Sequence, residues 1–471
     1  MDGQDEFADI SWQSPQAFPA SLSPNFGMMQ HSINESSPIT KGDHDQQLGN
    51  NVNPVDLAGV GEGILECNVS QPIKENDGTK DSYVSYLVTT NTTFQSFQKP
   101  TTTVRRRFTD FVFLYKTLAR EYPTCAVPPV PEKNSMAYVR GDRFGPDFTE
   151  RRAKSLSRFL LRLTLHPTLR RSALLIIFLE SIDWNATMKI RPQRGSLGGG
   201  SDAGGSVFDG LTDTFINAFA KVHKPDKRFT DVREKSDKMD EDLIHIEKIV
   251  ARVSRREGDI ETDLKDLADQ FRHLILLEPE VKIGGDAFVE ELENTSLGLG
   301  SLRKVWDHDY LGSLRDMLAY SSSLKNLLKA REQKQLDFEQ LTEYLNKSTG
   351  DRDVVANPHG GGGHIGASGF LARKIEDVRG VDHEQSRKER LRKLELRIQA
   401  LVGGVEEAKR VTEAFDEEVV REVADFERIK RVEFKMQLGR LADANVEFYG
   451  GVIERWETYI KSMEATGASI A

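Results

Sequence analysis

Between Met239 and Leu274 the apolar residues Met239, Leu243, Ile246, Val250, Val253, Ile260, Leu264, Leu267, Phe271 and Leu274 recur in alternating steps of three and four, and only the step at Glu257 is polar. That is the period of a long α-helix with an apolar seam. The same period runs from about 287 to 347. It returns from about 384 to 464, marked by Leu391, Leu394, Ile398, Leu401, Val405, Phe415, Val419, Phe426, Ile429, Leu438, Leu441 and Phe448. At about 1.5 Å per residue, helices of roughly 45 to 80 residues are about 70 to 120 Å long. Rods of that length cannot close around a compact core. They need one another, and a second chain, to cover a seam so long.

A different texture precedes them. The 471-residue chain has a formal charge of −10, unevenly spread: residues 1–59 hold eight acids and one base, 60–185 hold 13 acids and 18 bases, and the rest 53 acids and 45 bases. The first 57 residues, rich in Ser, Pro, Asn, Gln and Asp, keep no apolar period and read as a disordered acidic tail. From 62 to 184 the chain reads as an α+β module. "GILECNVSQPIK", "YVSYLVTTNT" and "TTTVRRRF" look like strands, with Pro72, Asn76, Asp77 and Gly78 punctuating the first turn. "TDFVFLYKTLAREYP" then turns helical, with Thr109 as N-cap and Phe111, Leu114, Tyr115 and Leu118 at helical spacing. Two more helices are expected in "ERRAKSLSRFLLRLTLHP" and "RRSALLIIFLES". The expected fold class is multidomain: a small antiparallel sheet with helices to one side, a Gly/Ser-rich linker at 185–206, an amphipathic helix at 207–224, and an elongated all-α region of three helices at 225–471.

Several function classes are excluded by what these residues lack. The longest apolar run, "ALLIIFL" at 173–179, is far short of the roughly 20 residues that span a bilayer. The N-terminus is acidic where a secretory signal is basic and then apolar, so a cytosolic location is expected. Cys67 and Cys125 are too few for a disulfide framework or a zinc cage. No P-loop, HExxH or GxSxG motif is present, and an enzyme is not expected. A pI near 5.6 without a basic stripe beside aromatics speaks against nucleic acid. His359 and His364 bracket four glycines, and without neighbouring cysteines or carboxylates they read as part of a loop in preference to a metal site.

The stretch "TVRRRFTDF" puts three arginines at the mouth of a helix in an acidic chain. One reading is an edge strand whose arginines face water. The other is an anion site: Arg107 ends a strand just before a helix start, where free backbone N–H groups and the helix dipole favour a phosphate. Lys133, at the end of "VPPVPEK", and Arg151 and Arg152, in the next helix, bring further cations from separate segments.

In order and spacing, "RRFTDF", "VPPVPEK" and "RRAKSLSRF" resemble the PX domain, the phosphoinositide-binding module of sorting nexins, over roughly 62–184. The resemblance implies that Arg107 holds the 3-phosphate of phosphatidylinositol 3-phosphate and that Phe108 packs on the inositol ring. It also places Thr109 beside the phosphate, Lys133 on the 1-phosphate and Arg152 on the ring hydroxyls. Phe108 stands where many members carry Tyr. Met136, Tyr138 and Val139, flanked by Arg140 and Arg143, are then either a membrane-insertion loop or a loop folded back on the domain. The helical half looks like a BAR domain. Before its first rod, Phe208, Leu211, Phe215, Phe219 and Val222 form one stripe, which either inserts into lipid or packs on the rods. "FLARKIEDVRGVDHEQSRKERLRKLE", "FDEEVVREVADFERIKRVEF" and "FYGGVIERWETYI" are most similar to the fungal sorting nexin-4 type, a group that acts in endosome retrieval and selective autophagy.

That resemblance implies a peripheral protein of endosomal and pre-autophagosomal membranes, homodimeric or heterodimeric with another PX-BAR sorting nexin, and needing no cofactor. Two weak lipid pockets in a dimer, together with basic residues such as Arg387, Lys388, Arg390, Arg392 and Lys393, would combine into stable docking. The alternative is a PX-targeted coiled-coil tether that does not bend membrane.

Overall fold

The computed structural model describes residues 63–78, 82–131, 144–190, 225–356 and 383–465. Strands β1 (Leu65–Glu75), β2 (Tyr83–Thr92) and β3 (Thr101–Arg107) pair antiparallel in the order β1-β2-β3. Register sets Val88 opposite Val104 and Ser85 opposite Arg107. In β1 the register shifts between Ser70 and Ile73, where Gln71 has φ 46° and Pro72 has no N–H to donate. A bulge absorbs both. Pro72 therefore lies inside the strand, not in the turn expected of it, and Asn76 (φ 54°) and Gly78 (φ 81°) redirect the chain beyond its end.

Helix α1 (Phe108–Glu121) follows β3 without a linker. Its N-cap is Arg107, not Thr109. The reason is Asp110: its carboxylate accepts the Arg107 backbone N–H at 2.9 Å, and this one-way cap lets the helix begin two residues early. Helices α2 (Pro146–Leu165), α3 (Ala173–Glu180) and α4 (Trp184–Ile190), with a 3-10 turn at Leu169–Arg171, complete the module. Tyr86, Val88 and Val104 of the sheet share one core with Phe111, Leu114, Phe159 and Phe178. Phe111 meets Phe178 edge-on at 5.0 Å, and Trp184 of α4 meets Phe178 at 5.0 Å. The packed helical chain thus continues to Ile190, into the span expected to be linker.

The long helices are α5 (Lys227–Leu277), α6 (Lys282–Lys304), α7 (Gly312–Ala356) and α8 (His383–Ala465). A π-helical segment, Val305–Leu311, joins α6 to α7 with helical dihedrals on either side, so these two form one rod and the described rods number three. Asp226 caps α5 by accepting the Arg228 N–H at 2.9 Å. With 83 residues α8 is about 125 Å long. No described helix is long and apolar enough to cross a membrane.

The seam read from the sequence divides into two faces. Leu243, Val250 and Ile275 of α5 are buried, with Leu264 and Phe271 packed beside the same inner face. Ile246, Val253, Ile260, Leu267 and Leu274 fall on another line, spaced by seven, and stay 37 to 51% exposed. On α8, Val419, Phe426 and Ile429 are buried, while Leu438, Val446, Tyr449, Ile453 and Ile460 are exposed. A helix turns about 100° per residue, so apolar positions alternating by three and four can serve two neighbours at once.

The α+β module is seated on the rods. Ala126, Leu161 and Leu165 join the core formed by Leu314, Met317, Tyr320 and Phe426. Around it the polar face of α2 is engaged: Arg158 donates to Asp316 at 2.6 Å, and Arg162 makes a forked pair with Glu433 at 2.7 and 2.8 Å.

Candidate functional site

Successive residues of a strand point to opposite faces, which sets Arg106 against Arg105 and Arg107; different hydrogen-bond partners then separate Arg105 from Arg107. Arg106 points inward. Its guanidinium donates to the Phe178 carbonyl at 3.0 and 2.8 Å, and also to that of Ser181, and lies over the Phe178 and Trp184 rings. Burial lowers its pKa to about 10, and Asp110 opposes that shift. Arg105 ties the β1 bulge to β2 through the Gln71 carbonyl at 2.8 Å and the Ser85 hydroxyl at 2.9 Å. Arg105 shares the outer face with Arg107 but is held down by these bonds at 31% exposed, whereas the Arg107 side chain is 43% exposed. The reading in which the arginines simply face water therefore fails for Arg106, which replaces a buried apolar residue with a satisfied guanidinium.

Arg107 is aimed by its neighbours. Its Nε donates to Asp110 Oδ1 at 3.2 Å, and its guanidinium lies 5.9 Å from the Tyr83 ring centroid. Burial raises the Asp110 carboxyl, with Arg107 and then Arg106 pulling it back. Thr109 is exposed in the first turn of α1, where backbone N–H groups lack intrahelical acceptors. Phe108 is only 9% exposed and belongs to the core. Its remaining face is covered by Arg152, whose guanidinium sits 4.4 Å from the Phe108 centroid and 4.3 Å from that of Phe148. Burial pushes the Tyr86 phenol up to about 12, and the nearby positive charge of Arg152 pulls it back.

The structure thus brings Arg107, Phe108, Thr109 and Arg152 to one corner between β3, α1 and α2. Lys133 and the loop residues Met136, Tyr138 and Val139 lie outside the described residues, as do the stripe of Phe208, Leu211, Phe215 and Phe219, and His359 and His364. Arg151, read as a further cation for the pocket, points elsewhere: it pairs with Asp147 at 2.8 Å and with Asp307 of the π-helical segment. Burial works against its charge, but the hydrogen bonds to Asp307 and Asp147 outweigh it and raise its pKa. Sequence reading did not single out Tyr83, Phe148 or Asp110 as site residues. Tyr83 was within reach, since it lies two residues from Ser85, the cross-strand partner of Arg107.

Cys125, His166 and Glu422 cluster where the module meets α8. Their hydrogen bonds argue against a metal. His166 Nδ1 accepts the Thr168 and Leu169 N–H groups at 3.2 Å each, which puts the ring proton on Nε2, where it is donated to Glu422 Oε2 at 2.9 Å. Glu422 also accepts the Ala126 N–H at 3.0 Å. Burial, then the Glu422 charge, pushes the Cys125 thiol up, so it stays a protonated donor. The cluster is a hydrogen-bonded knot at the junction.

Residues 94–182 match the PX domain family. The chain is 59% identical to Sorting nexin-4 of Pyricularia oryzae, with 99% of both chains covered, and 60% identical to Sorting nexin-4 of Colletotrichum higginsianum, covering 99% of this chain and 95% of that one. It is 37% identical to Sorting nexin-4 of Cryptococcus neoformans var. neoformans over 85% of this chain and 81% of the relative. Among solved structures it is similar to the cryo-EM structure of the SNX-BAR Mvp1 tetramer, with a TM-score of 0.53 at 17% identity, over 84% of this chain and 99% of that one. A PX domain seated on long BAR-type helices defines the class, that of membrane-binding SNX-BAR proteins. Within it, the chain belongs to the sorting nexin-4 family.

Proposed function

We propose that this sorting nexin binds phosphatidylinositol 3-phosphate on endosomal and pre-autophagosomal membranes as a peripheral, non-enzymatic dimer, and supports endosome-to-Golgi retrieval and selective autophagy. The observation that carries the lipid reading is the outward Arg107. Of three adjacent arginines it is the most exposed, at the first turn of α1, with Arg152 held over the neighbouring Phe108. A forked guanidinium beside free helix N–H groups suits a phosphate dianion. Because Arg152 already occupies the open face of Phe108, the ring supports the arginine, and the headgroup meets Arg152 before it meets the ring.

The heptad-spaced line from Ile246 to Leu274, with the exposed apolar residues of α8, supports a second helical chain as the partner. Homodimer and heterodimer with another PX-BAR sorting nexin fit that surface equally. The test of the lipid reading is co-sedimentation with liposomes across the phosphoinositides. Wild type is expected to sediment with phosphatidylinositol 3-phosphate, and Arg107→Ala to lose about 2 to 3 kcal/mol of headgroup binding, a drop of roughly 30- to 150-fold. Equal sedimentation of the variant would place recruitment in the helical half or in a protein partner.

A further inference from the structure

The helix that carries Arg152 is gripped from behind by the second rod. The first turn of α2 has Gly145 as N-cap with no side-chain hydrogen bond, and it carries contacts to the rod on the face turned away from Phe108. Those contacts come from the π-helical segment Val305–Leu311. His308 Nε2 lies 2.8 Å from Asp147 Oδ1, Asp307 pairs with Arg151, and Asp309 lies 3.1 Å from Lys154 Nζ. One turn further on, Asp316 accepts from the Ser155 hydroxyl at 2.7 Å and from Arg158 at 2.6 Å.

The backbone is shaped for this contact. A π-helical turn is rare and is frequently found at functional sites. Here the widened turn presents the His308 and Asp309 carbonyls to Arg158 Nη1, at 3.4 and 3.5 Å. Gly312 ends the segment where an added Cβ would stand 2.7 Å from Arg158 Nη2. Arg151 and Arg152 are about 100° apart on the helix. One faces the rod and the other extends over Phe148 and Phe108. Rotation or fraying of this turn would carry Arg152 off Phe108.

We infer that the π-helical segment is a clamp on the phosphoinositide pocket, with Asp307 and Asp309 as positioning residues that hold Arg152 in place without touching the headgroup. This rests on the lipid reading above. Headgroup affinity is then a property of the module and rod together, and the coupling is reciprocal: a bound headgroup tightens the grip on the rod.

The experiment uses the full chain and soluble inositol 1,3-bisphosphate, with calorimetry for affinity and amide hydrogen exchange for the clamp. The Asp307→Ala/Asp309→Ala double variant is expected to bind about five- to tenfold more weakly, and Asp307→Glu within about twofold of wild type. In wild type, headgroup should slow exchange across 305–316. A double variant that binds as tightly as wild type overturns the inference. So does a wild type that binds headgroup without protecting 305–316, a result that needs no variant to fold. If wild type takes up no headgroup, the lipid reading falls and the clamp with it. If Arg107→Ala abolishes binding while the double variant is unaffected, only the clamp falls.

Discussion

Glu433→Ala is expected to loosen the PX module from the rods at a cost of about 3 to 5 kcal/mol, because it strands a buried guanidinium. Arg162 and Glu433 are each 1% exposed. The guanidinium uses its fork on both Glu433 oxygens, donates its remaining Nη1 to the Asp316 carbonyl at 2.8 Å, and lies over the Tyr320 ring. One side chain thus ties α2 to both α7 and α8. Burial opposes its charge, but Glu433 more than offsets that and raises its pKa; with the carboxylate gone the cost of burying the guanidinium stands uncompensated. The double variant Arg162→Leu/Glu433→Leu should recover most of the loss, since a buried ion pair replaced by apolar side chains is often close to neutral. Hydrogen exchange across α2 and the thermal transition of the full chain would report both. A single variant that costs under about 1 kcal/mol would mean that water reaches Arg162 in solution.

The second large effect is expected on the outer face of α5. Ile260→Asp/Leu267→Asp places two carboxylates on the heptad-spaced line that the chain itself leaves uncovered. If a second copy covers this line about a two-fold axis, four buried aliphatic side chains are lost, about 6 kcal/mol or roughly ten-thousandfold in dimer affinity. Both residues are exposed in the single chain, so helix content and headgroup binding should be unchanged. Analytical ultracentrifugation at micromolar concentration should find wild type as a dimer and the variant as a monomer, with loss of liposome tubulation. A variant that keeps the dimer mass would move the interface elsewhere. A wild-type dimer that clusters vesicles without tubulating them would favour the tether.

The candidate site was partly legible beforehand. Residue order pointed to Arg107 and to the pair Arg151 and Arg152, the resemblance to the PX domain singled out Arg152, and the structure sets Arg107 and Arg152 beside Phe108. Arg151 could not be told from Arg152, because adjacent helix residues differ only in the face they present, and Asp307 is 156 residues away. Phe108 was expected to offer a ring face to the ligand. Arg152 already lies on that face, a contact no local spacing reveals.

The sequence by itself determined what depends on neighbours within a few residues: three strands, helices α1 to α3 of the PX module, and three long rods whose length follows from an apolar period sustained over tens of residues. Their order followed as well. Only the tertiary structure decided which face of each element is covered. Alternation in β3 says that Arg106 opposes Arg105 and Arg107, but not that Phe178 and Ser181 wait beneath it with open carbonyls. The period of α5 says that apolar residues line the helix, but not that Leu243 and Val250 face the rods while Ile246 and Ile260 stay outside. Arg162 has the same local signature as any exposed arginine of an amphipathic helix, and its burial depends on a carboxylate 271 residues later. Charge pairing and burial are properties of surfaces brought together by the whole chain, and a local period carries no record of its partner.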